Sequence, residues 1–423
     1  MATDNMLNVP KTNMSAFYDD LEARLALLTG IVPMEDLGLT LEQVRKPMLV
    51  IGLPGIGKTA GIMSIIKNLN ETKLKGTGRE LGFKKILLGQ TVVGSMSGIP
   101  VVMPDGSVKR VQVPDLPDPN RDPEYGVLFL DELTTADEAQ VQPALGLCDD
   151  SRNIGEYTLP PHWLVVSAGN GPDCTNFLRL DDMTISRFVV YDIAYDFTRD
   201  WRPYANANGI EDDIIAFLNF DPSMCVRVES TENDTSGRLF PCPRTWERLS
   251  NELKIRRAVG KPVPQAQMGE FAGRIVGLNA GRAFQSFTAY HEKVTYDPKK
   301  IIEGTEEPPK PDMEKQVYFI VLQNCMKLLK IRIDQDDDGS GNFSSEIKTC
   351  VANVIRWFLH MEPVDLESTY SALLSLRGDD ARIKQIVQGA DFDDFCPELT
   401  DFTERNWENL IEAKELGAFD TIG

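Results

Sequence analysis

The chain has 423 residues, 42% of them hydrophobic and 26% charged, and 64 Asp and Glu against 44 Lys and Arg give a net charge of -20. This composition is typical of a folded protein of roughly two to three domains. It argues against intrinsic disorder and against any function that depends on a broad basic surface. No apolar run approaches the roughly 18 to 20 residues that span a bilayer, and no secretory signal is visible at the N-terminus.

Seven cysteines are scattered along the chain without a CxxC pair, and the three histidines lie far apart. A disulfide framework would need an even, patterned set of cysteines, and a structural zinc site would need short paired spacings. We therefore interpret the cysteines as buried or incidental thiols in a reducing compartment. The expected location is cytoplasmic, without membrane association.

The first predicted element is an amphipathic helix over residues 15–29, in which apolar residues recur at helical spacing. Ser15 is the expected N-cap, and Gly30 follows the end of the helix. Residues 1–45 are therefore predicted to form an N-terminal helix and a linker.

The next 170 or so residues alternate short apolar runs with helical stretches. The runs lack polar alternation, as expected for strands of a parallel sheet that is covered on both faces. The predicted strands are residues 47–53, 85–89, 127–130, 163–168 and 188–193. This alternation predicts a doubly wound α/β domain with a parallel five-stranded sheet over residues 46–196.

From residue 197 onward the pattern becomes helical, and residues 197–296 are predicted to form a helical domain. Residues 297–312 are rich in proline and charge and are interpreted as a linker. Residues 313–423 are predicted to form a further helical domain, with helices over 313–331 and 346–361.

The net negative charge is concentrated at the C-terminal end. Residues 361–423 hold 15 acidic and 5 basic side chains, which is half of the excess for the whole chain. We interpret this acidity as favouring solubility or a basic partner surface. It leaves the α/β domain closer to neutral than the total suggests.

One motif carries clear chemistry: residues 52–59 read GLPGIGKT and fit the phosphate-loop pattern G-x4-G-K-S/T. A predicted strand precedes the motif and a helical pattern follows it, as this loop requires. Its glycines let backbone N–H groups surround phosphates, and the helix N-terminus adds partial positive charge. Lys58 is predicted to reach the β- and γ-phosphates, and the Thr59 hydroxyl to ligate Mg2+. The predicted nucleotide-binding residues are Gly52, Pro54, Gly55, Ile56, Gly57, Lys58, Thr59 and Ala60.

Two carboxylates end the third predicted strand, where ligands bind in open α/β sheets. Asp131 is predicted to hold Mg2+, directly or through water. Glu132 is predicted to orient and deprotonate the attacking water, because phosphoryl transfer depends on positioning and electrostatics. The pair favours hydrolysis over binding alone.

Two further side chains are candidates. Asn170 follows the fourth predicted strand, where its amide can hydrogen-bond the attacking water or the γ-phosphate, although Asn is also a common turn residue. Arg187 lies at the start of the fifth strand, and in isolation it would be an ordinary surface arginine.

Several segments together resemble the AAA+ ATPases and, within them, the MoxR-like branch of bacterial or phage type. The matching segments are LDELTTAD at 130–137, VQPAL at 141–145, GEYTLP at 155–160, AGN at 168–170, SRF at 186–188 and FPCPRTWER at 240–248. They cover most of residues 45–255 in a specific order. The resemblance implies an AAA+ core, a helical lid over residues 197–296, and ATP with Mg2+ as cofactors.

The resemblance also implies roles by position. Asn170 resembles the sensor 1 residue, and Arg244 resembles the sensor 2 arginine that contacts the γ-phosphate of its own subunit. Arg187 is similar to the arginine finger that reaches the neighbouring subunit's nucleotide, with Arg179 and Arg152 as rivals. A trans arginine stabilises transition-state charge and couples hydrolysis to subunit contact.

Two β-hairpins are predicted as insertions. Residues 98–113 pair around a Pro-Asp-Gly turn and resemble the insertion of this branch that projects toward a central pore. Val101, Val102 and Met103 are the expected contacts to a partner, and the alternative is a surface loop without a role. Residues 152–159 resemble the hairpin inserted before sensor 1.

The expected function is therefore an ATP-hydrolysing homo-oligomer, a hexameric ring, that remodels a protein partner. The resemblance suggests a von Willebrand factor A domain protein as the partner. One alternative is a nucleic-acid motor or loader, which the net charge disfavours. Another is a nucleotide-gated structural component with little turnover, which the Asp131–Glu132 pair disfavours.

Overall fold

The computed structural model describes residues 9–91, 96–111, 115–171, 180–226, 239–337, 342–378, 380–389 and 391–406. In this part of the chain two compact units follow one another. The first ends at Asp196, and the second begins at Phe197.

The first unit alternates strands with helices. Its strands are β1 (Lys11–Thr12), β2 (Met48–Ile51), β3 (Leu81–Leu87), β4 (Ile99–Val102), β5 (Val108–Val111), β6 (Tyr125–Asp131), β7 (Asn153–Ile154), β8 (Tyr157–Thr158), β9 (Trp163–Gly169) and β10 (Val189–Ile193). Its helices are α1 (Met14–Leu28), α2 (Leu41–Val44), α3 (Lys58–Glu71), α4 (Glu138–Leu145) and α5 (Asp182–Ile185).

Six strands form one parallel sheet in the order β1-β10-β2-β9-β6-β3. The predicted doubly wound α/β class is confirmed, but the sheet has six strands rather than five. The extra strand lies at the edge, where Lys11 and Thr12 pair with Asp192 and Ile193, and Lys11 Nζ lies 2.8 Å from Asp192 Oδ1. Two polar residues produce no apolar pattern, so the sequence could not indicate this strand.

Both faces of the sheet are covered. Leu49 and Ile51 of β2 belong to a buried cluster that also contains residues of α4. Because side chains alternate along a strand, Val50 lies on the opposite face, beside Tyr191 of β10. The Tyr191 ring contacts Phe17 of α1 with centroids 5.3 Å apart. Helix α1 therefore covers this second face.

The predicted cap of α1 is wrong. The helix begins at Met14, and the side chain of Asn13 accepts a hydrogen bond of 2.8 Å from the Ala16 N–H. Ser15 lies inside the first turn, and its hydroxyl donates to Asn13 Oδ1 at 2.9 Å. Both residue types are good caps, so sequence alone does not decide between positions two residues apart.

Both predicted hairpins are present. Strands β4 and β5 pair antiparallel from Ile99 opposite Val111 to Val102 opposite Val108, and the predicted residues 112 and 113 lie outside the described part. Strands β7 and β8 form the second, shorter hairpin.

The second unit is helical. Its helices are α6 (Arg202–Ala207), α7 (Asp212–Phe220), α8 (Pro243–Ala258), α9 (Gln265–Val276), α10 (Leu278–Thr288), α11 (Pro298–Glu303), α12 (Lys315–Asp336), α13 (Ser345–Leu359), α14 (Leu366–Gly378), α15 (Ala381–Val387) and α16 (Pro397–Arg405). No helix in the described part of either unit combines the length and apolar character that crossing a membrane needs.

The stretch that the sequence indicates as a linker is packed into this second unit. Residues 297–312 contain α11, whose Ile301 and Ile302 are buried in the same cluster as the apolar residues of α12 and α13. Trp357 of α13 donates its indole N–H to the carbonyl of Glu307 at 2.8 Å. The division of the helical part into a lid and a C-terminal domain stays a prediction.

Candidate functional site

The phosphate-loop motif forms a tight turn between β2 and α3. The Gly52 N–H donates to the Gly169 carbonyl at 3.2 Å, which ties the start of the loop to β9. Gly55 and Gly57 have φ values of 79° and 98°, a region that side chains with a Cβ avoid. A Cβ at Gly57 would have no atom within 4 Å. The backbone is therefore open to a ligand just where α3 begins.

Lys58 is the first residue of α3. Its Nζ donates to the carbonyl oxygens of Gly52 at 2.7 Å and Leu53 at 3.1 Å, so the ammonium lies against the loop that contains it. Thr59 follows in the first turn and is half-buried. The helix N-terminus, the lysine and the open glycine backbone together form a site suited to an anion such as phosphate.

The acidic pair lies at the end of β6, as predicted. Asp131 Oδ1 accepts from the Glu132 N–H at 3.0 Å, and Asp131 Oδ2 lies 2.7 Å from Lys85 Nζ. Glu132 has φ 64°, which costs a residue with a Cβ about 1 kcal/mol or more. A Cβ at Gly89 would stand 2.8 Å from Glu132 Oε2, so this glycine leaves room for the carboxylate.

The strand order brings the predicted groups together at the carboxyl ends of the strands. Strand β9 lies between β2 and β6, with Ile51 opposite Gly169 and Leu130 opposite Ser167. Neighbouring strands are about 4.8 Å apart, so the phosphate loop and Asp131 are separated by about 10 Å. Asn170 follows β9 between them. The three motifs therefore surround a space of the size of a phosphate group and its metal ion.

Thr134 holds this arrangement together, although no sequence pattern indicated it for this role. Its buried hydroxyl donates to the Asn170 carbonyl at 2.9 Å and accepts from the Asn170 N–H at 2.7 Å. Its methyl group fills the space beside Gly169, where a Cβ would come within 2.5 Å. Thr134 thus fixes the backbone of the predicted sensor to the segment that follows the acidic pair.

A second residue without a sequence signal is Tyr18 of α1. Its hydroxyl donates to the Gly57 carbonyl at 3.3 Å. Gly61 of α3 contacts the Tyr18 ring so closely that an added Cβ would overlap it. Helix α1 therefore packs against the start of α3 and stabilises the end of the phosphate loop.

The residues present fit Mg2+ bound through a nucleotide. Thr59 and Asp131 offer a hydroxyl and a carboxylate oxygen, the hard donors that Mg2+ prefers. This ion usually takes one or two protein ligands and completes its shell with waters and substrate phosphates. In the described residues, no group of three or more His, Cys, Asp or Glu could hold a metal ion by itself.

Arg187 lies near the amino ends of the strands, whereas the phosphate loop and the acidic pair lie at their carboxyl ends. It precedes β10, whose first residue Val189 pairs with Met48 at the start of β2. Four residues of β2 at about 3.3 Å each separate this end of the sheet from Gly52, a distance of about 13 Å. Arg187 Nε donates to Asp149 Oδ1 at 2.8 Å, and the arginine side chain is partly exposed.

The rivals of Arg187 differ in their surroundings. Arg152 is buried, has φ 52°, and donates through Nη2 to the carbonyls of Pro160 and Trp163. Burial lowers the pKa of this guanidinium to about 10. These contacts give Arg152 a structural role: it ties the start of the β7–β8 hairpin to the segment that follows the hairpin. Arg179 lies outside the described residues.

Arg244 belongs to the second unit. It is exposed in the first turn of α8, between the buried Pro243 and Trp246. Trp246 anchors this turn, because its indole N–H donates to the Met224 carbonyl at 2.9 Å. The role of Arg244 as sensor 2 stays a prediction.

The fold and site together define a doubly wound α/β protein with a phosphate loop. No protein-family profile and no curated protein sequence matches the chain. Among solved structures, a protein from Cytophaga hutchinsonii whose ATPase assignment is provisional is similar over 84% of this chain and 85% of its own, at 15% identity and TM-score 0.25.

Two other structures are similar over shorter spans. A full-length MCM homolog from Methanopyrus kandleri matches 67% of this chain and 63% of its own, at 14% identity and TM-score 0.27. The ORC2 protein of Aeropyrum pernix, determined as ADPNP–ADP complexes, matches 71% of this chain and 77% of its own, at 12% identity and TM-score 0.35.

Replacing Thr134 by valine tests the link between the acidic segment and Asn170. Valine keeps the shape but leaves the N–H and the carbonyl of Asn170 without their partner, so we expect a loss of about 1–3 kcal/mol in the free energy of unfolding. Serine keeps the hydroxyl and is expected to cost less. Urea unfolding of Thr134→Val and Thr134→Ser measures both, and equal midpoints would contradict the assigned role.

Replacing Gly61 by alanine tests the support from Tyr18. Alanine normally stabilises a helix interior by up to about 1 kcal/mol relative to glycine, but here the new methyl group overlaps Tyr18, and overpacking costs about 1–3 kcal/mol. We therefore expect Gly61→Ala to lower the unfolding free energy in the wild type and to raise it in a Tyr18→Ala background. The same sign in both backgrounds would exclude this contact.

Proposed function

We propose that this protein is an ATP-hydrolysing AAA+ ring of the MoxR-like branch that remodels a protein partner. The observation that carries the proposal is the meeting of three elements at one edge of the sheet: the phosphate loop, the Asp131–Glu132 pair and Asn170. The strand order supports their joint action, because it places Asn170 between the other two.

The proposed chemistry follows from these positions. The N–H groups of the loop and Lys58 bind and orient the phosphates, and Thr59 and Asp131 hold Mg2+. When bound, this ion neutralises charge on the phosphate oxygens. Glu132 orients the attacking water and accepts its proton, and the Asn170 amide fixes the water or the γ-phosphate. The protein thus contributes positioning and electrostatic stabilisation.

Arg187 supports an assembly rather than a lone subunit. Arg187 lies about 13 Å from the phosphate loop of its own chain, beyond the reach of an arginine side chain that is already paired with Asp149. We therefore infer that it acts on the nucleotide of a neighbouring subunit. We propose that it acts in trans within a hexameric homo-oligomer, and that Arg244 contacts the γ-phosphate in cis.

The β4–β5 hairpin is the proposed contact to the partner. The side chains of Ile99, Val101, Val102 and Val108 are exposed, and Val102 is 71% exposed. Apolar side chains grouped on one exposed hairpin are typical of an interaction site. The resemblance to the MoxR-like branch suggests a protein with a von Willebrand factor A domain as the partner. The scattered cysteines favour a reducing, cytoplasmic setting.

The Glu132→Gln variant tests hydrolysis. We expect it to bind ATP with Mg2+ but to hydrolyse it at least about 100-fold more slowly, because the base is lost. Glu138→Gln is the matched control, since it removes the same charge from the exposed first turn of α4. ATP binding by calorimetry and phosphate release by a coupled assay give the two readouts.

Turnover that is low in the wild type and unchanged in Glu132→Gln would favour a nucleotide-gated structural component instead. DNA-stimulated, salt-dependent turnover of the wild type would favour the nucleic-acid motor.

The hairpin is tested in the Glu132→Gln background, where ATP should trap the partner in an affinity pull-down. Deleting residues 101–109 or introducing Val102→Asp should abolish capture and leave ATP binding unchanged, because the hairpin lies outside the sheet edge that holds the site. Met183→Asp is the matched control, since Met183 is 75% exposed elsewhere in the same unit. Unchanged capture by the deletion variant would exclude the hairpin as the contact.

A further inference from the structure

We propose that Lys85 is a positioning residue for Asp131, and that it competes with Mg2+ for this carboxylate. The inference rests on the proposed function, because it concerns the magnesium ligand of the proposed nucleotide site. It adds a residue from β3, a strand that contributes no motif, and it sets the Mg2+ concentration at which the site fills.

The register of the sheet places Lys85 on the same face as Asp131. Strands β3 and β6 are parallel neighbours, with Lys85 opposite Phe129 and Leu87 opposite Asp131. Because side chains alternate, these four residues share one face. Lys85 Nζ lies 5.7 Å from the centre of the Phe129 ring and 2.7 Å from Asp131 Oδ2. The lysine stem therefore passes over Phe129 and ends at the carboxylate.

Both oxygens of Asp131 are then engaged. Oδ1 accepts from the Glu132 N–H, and Oδ2 binds the Lys85 ammonium. These contacts fix the orientation of the carboxylate, which is only 19% exposed. A divalent ion that approaches Asp131, directly or through a bound water, meets a positive charge at the same oxygen. The ion must displace Lys85 or share Oδ2 with it, and in either case its binding is weakened.

The neighbouring residue provides a natural contrast. Lys84 points to the other face of β3, where its Nζ lies 3.0 Å from Asp122 Oδ1. Lys84 and Lys85 thus have the same charge and adjacent positions, and each has a carboxylate oxygen within 3.0 Å of its Nζ. Only the partner of Lys85 belongs to the proposed site, so Lys84→Gln is a matched control for the loss of one positive charge.

The test titrates Mg2+ against the full-length protein at a fixed ATP concentration and follows thermal unfolding. We expect Lys85→Gln to lower the Mg2+ concentration that gives half of the ATP-dependent stabilisation by about threefold to fivefold, as expected for loss of a partly exposed ion pair. Lys85→Arg keeps the charge and should behave like the wild type. Lys84→Gln should shift the midpoint by less than about 1.5-fold.

A double variant separates positioning from general stability. In an Asp131→Asn background, Lys85→Gln should leave the Mg2+ midpoint unchanged, because the carboxylate for which Lys85 and Mg2+ compete is gone. A Lys85→Gln midpoint equal to the wild type, or a shift that persists in Asp131→Asn, would overturn the role of Lys85 while leaving the nucleotide site intact. A wild type that ATP and Mg2+ do not stabilise would instead overturn the proposed nucleotide site, and this inference with it.

Discussion

The hydrogen bonds between β9 and its two neighbours are the constraint on which the candidate site depends. They keep the phosphate-loop strand and the acidic-pair strand two strand spacings apart. An acidic strand directly beside β2 would leave about 5 Å, too little for a phosphate and its metal ion. At three spacings, no side chain would bridge the gap. The position of one strand therefore decides whether separate motifs can act on one ligand.

Contacts at the same edge make this spacing rigid. Thr134 bonds both polar groups of the Asn170 backbone, and the Gly52 N–H binds the Gly169 carbonyl. Tyr18 adds support from α1, whose sequence offers no sign of a part in the site. A precise site needs such supporting groups, since a displacement of about 1 Å is enough to impair catalysis.

Much of the site could be predicted from the sequence because its signals are local. The phosphate loop fits a contiguous pattern, and Asp131 and Glu132 end an apolar run whose period is unambiguous. Thr134, Tyr18 and Lys85 could not be identified in this way. Each acts on a residue distant in sequence or across a strand register, and register depends on tertiary packing rather than on local pattern.

The same limit applies to the arginines. The sequence alone does not distinguish Arg152 from Arg187. In the structure Arg152 is buried and donates to carbonyl oxygens, whereas Arg187 is partly exposed and pairs with Asp149. The linker prediction for residues 297–312 rests on proline and charge content, which does not reveal that Ile301 and Ile302 are buried. Composition describes a segment, whereas its role depends on what it touches.

The backbone of Glu132 limits the stability of the fold. Its φ of 64° suits glycine or asparagine better than glutamate. Either replacement would relieve about 1 kcal/mol of strain and make the fold more durable while removing the carboxylate. The glutamate at this position therefore costs the fold about 1 kcal/mol, and under the proposed function that cost is the condition for a carboxylate at the end of β6.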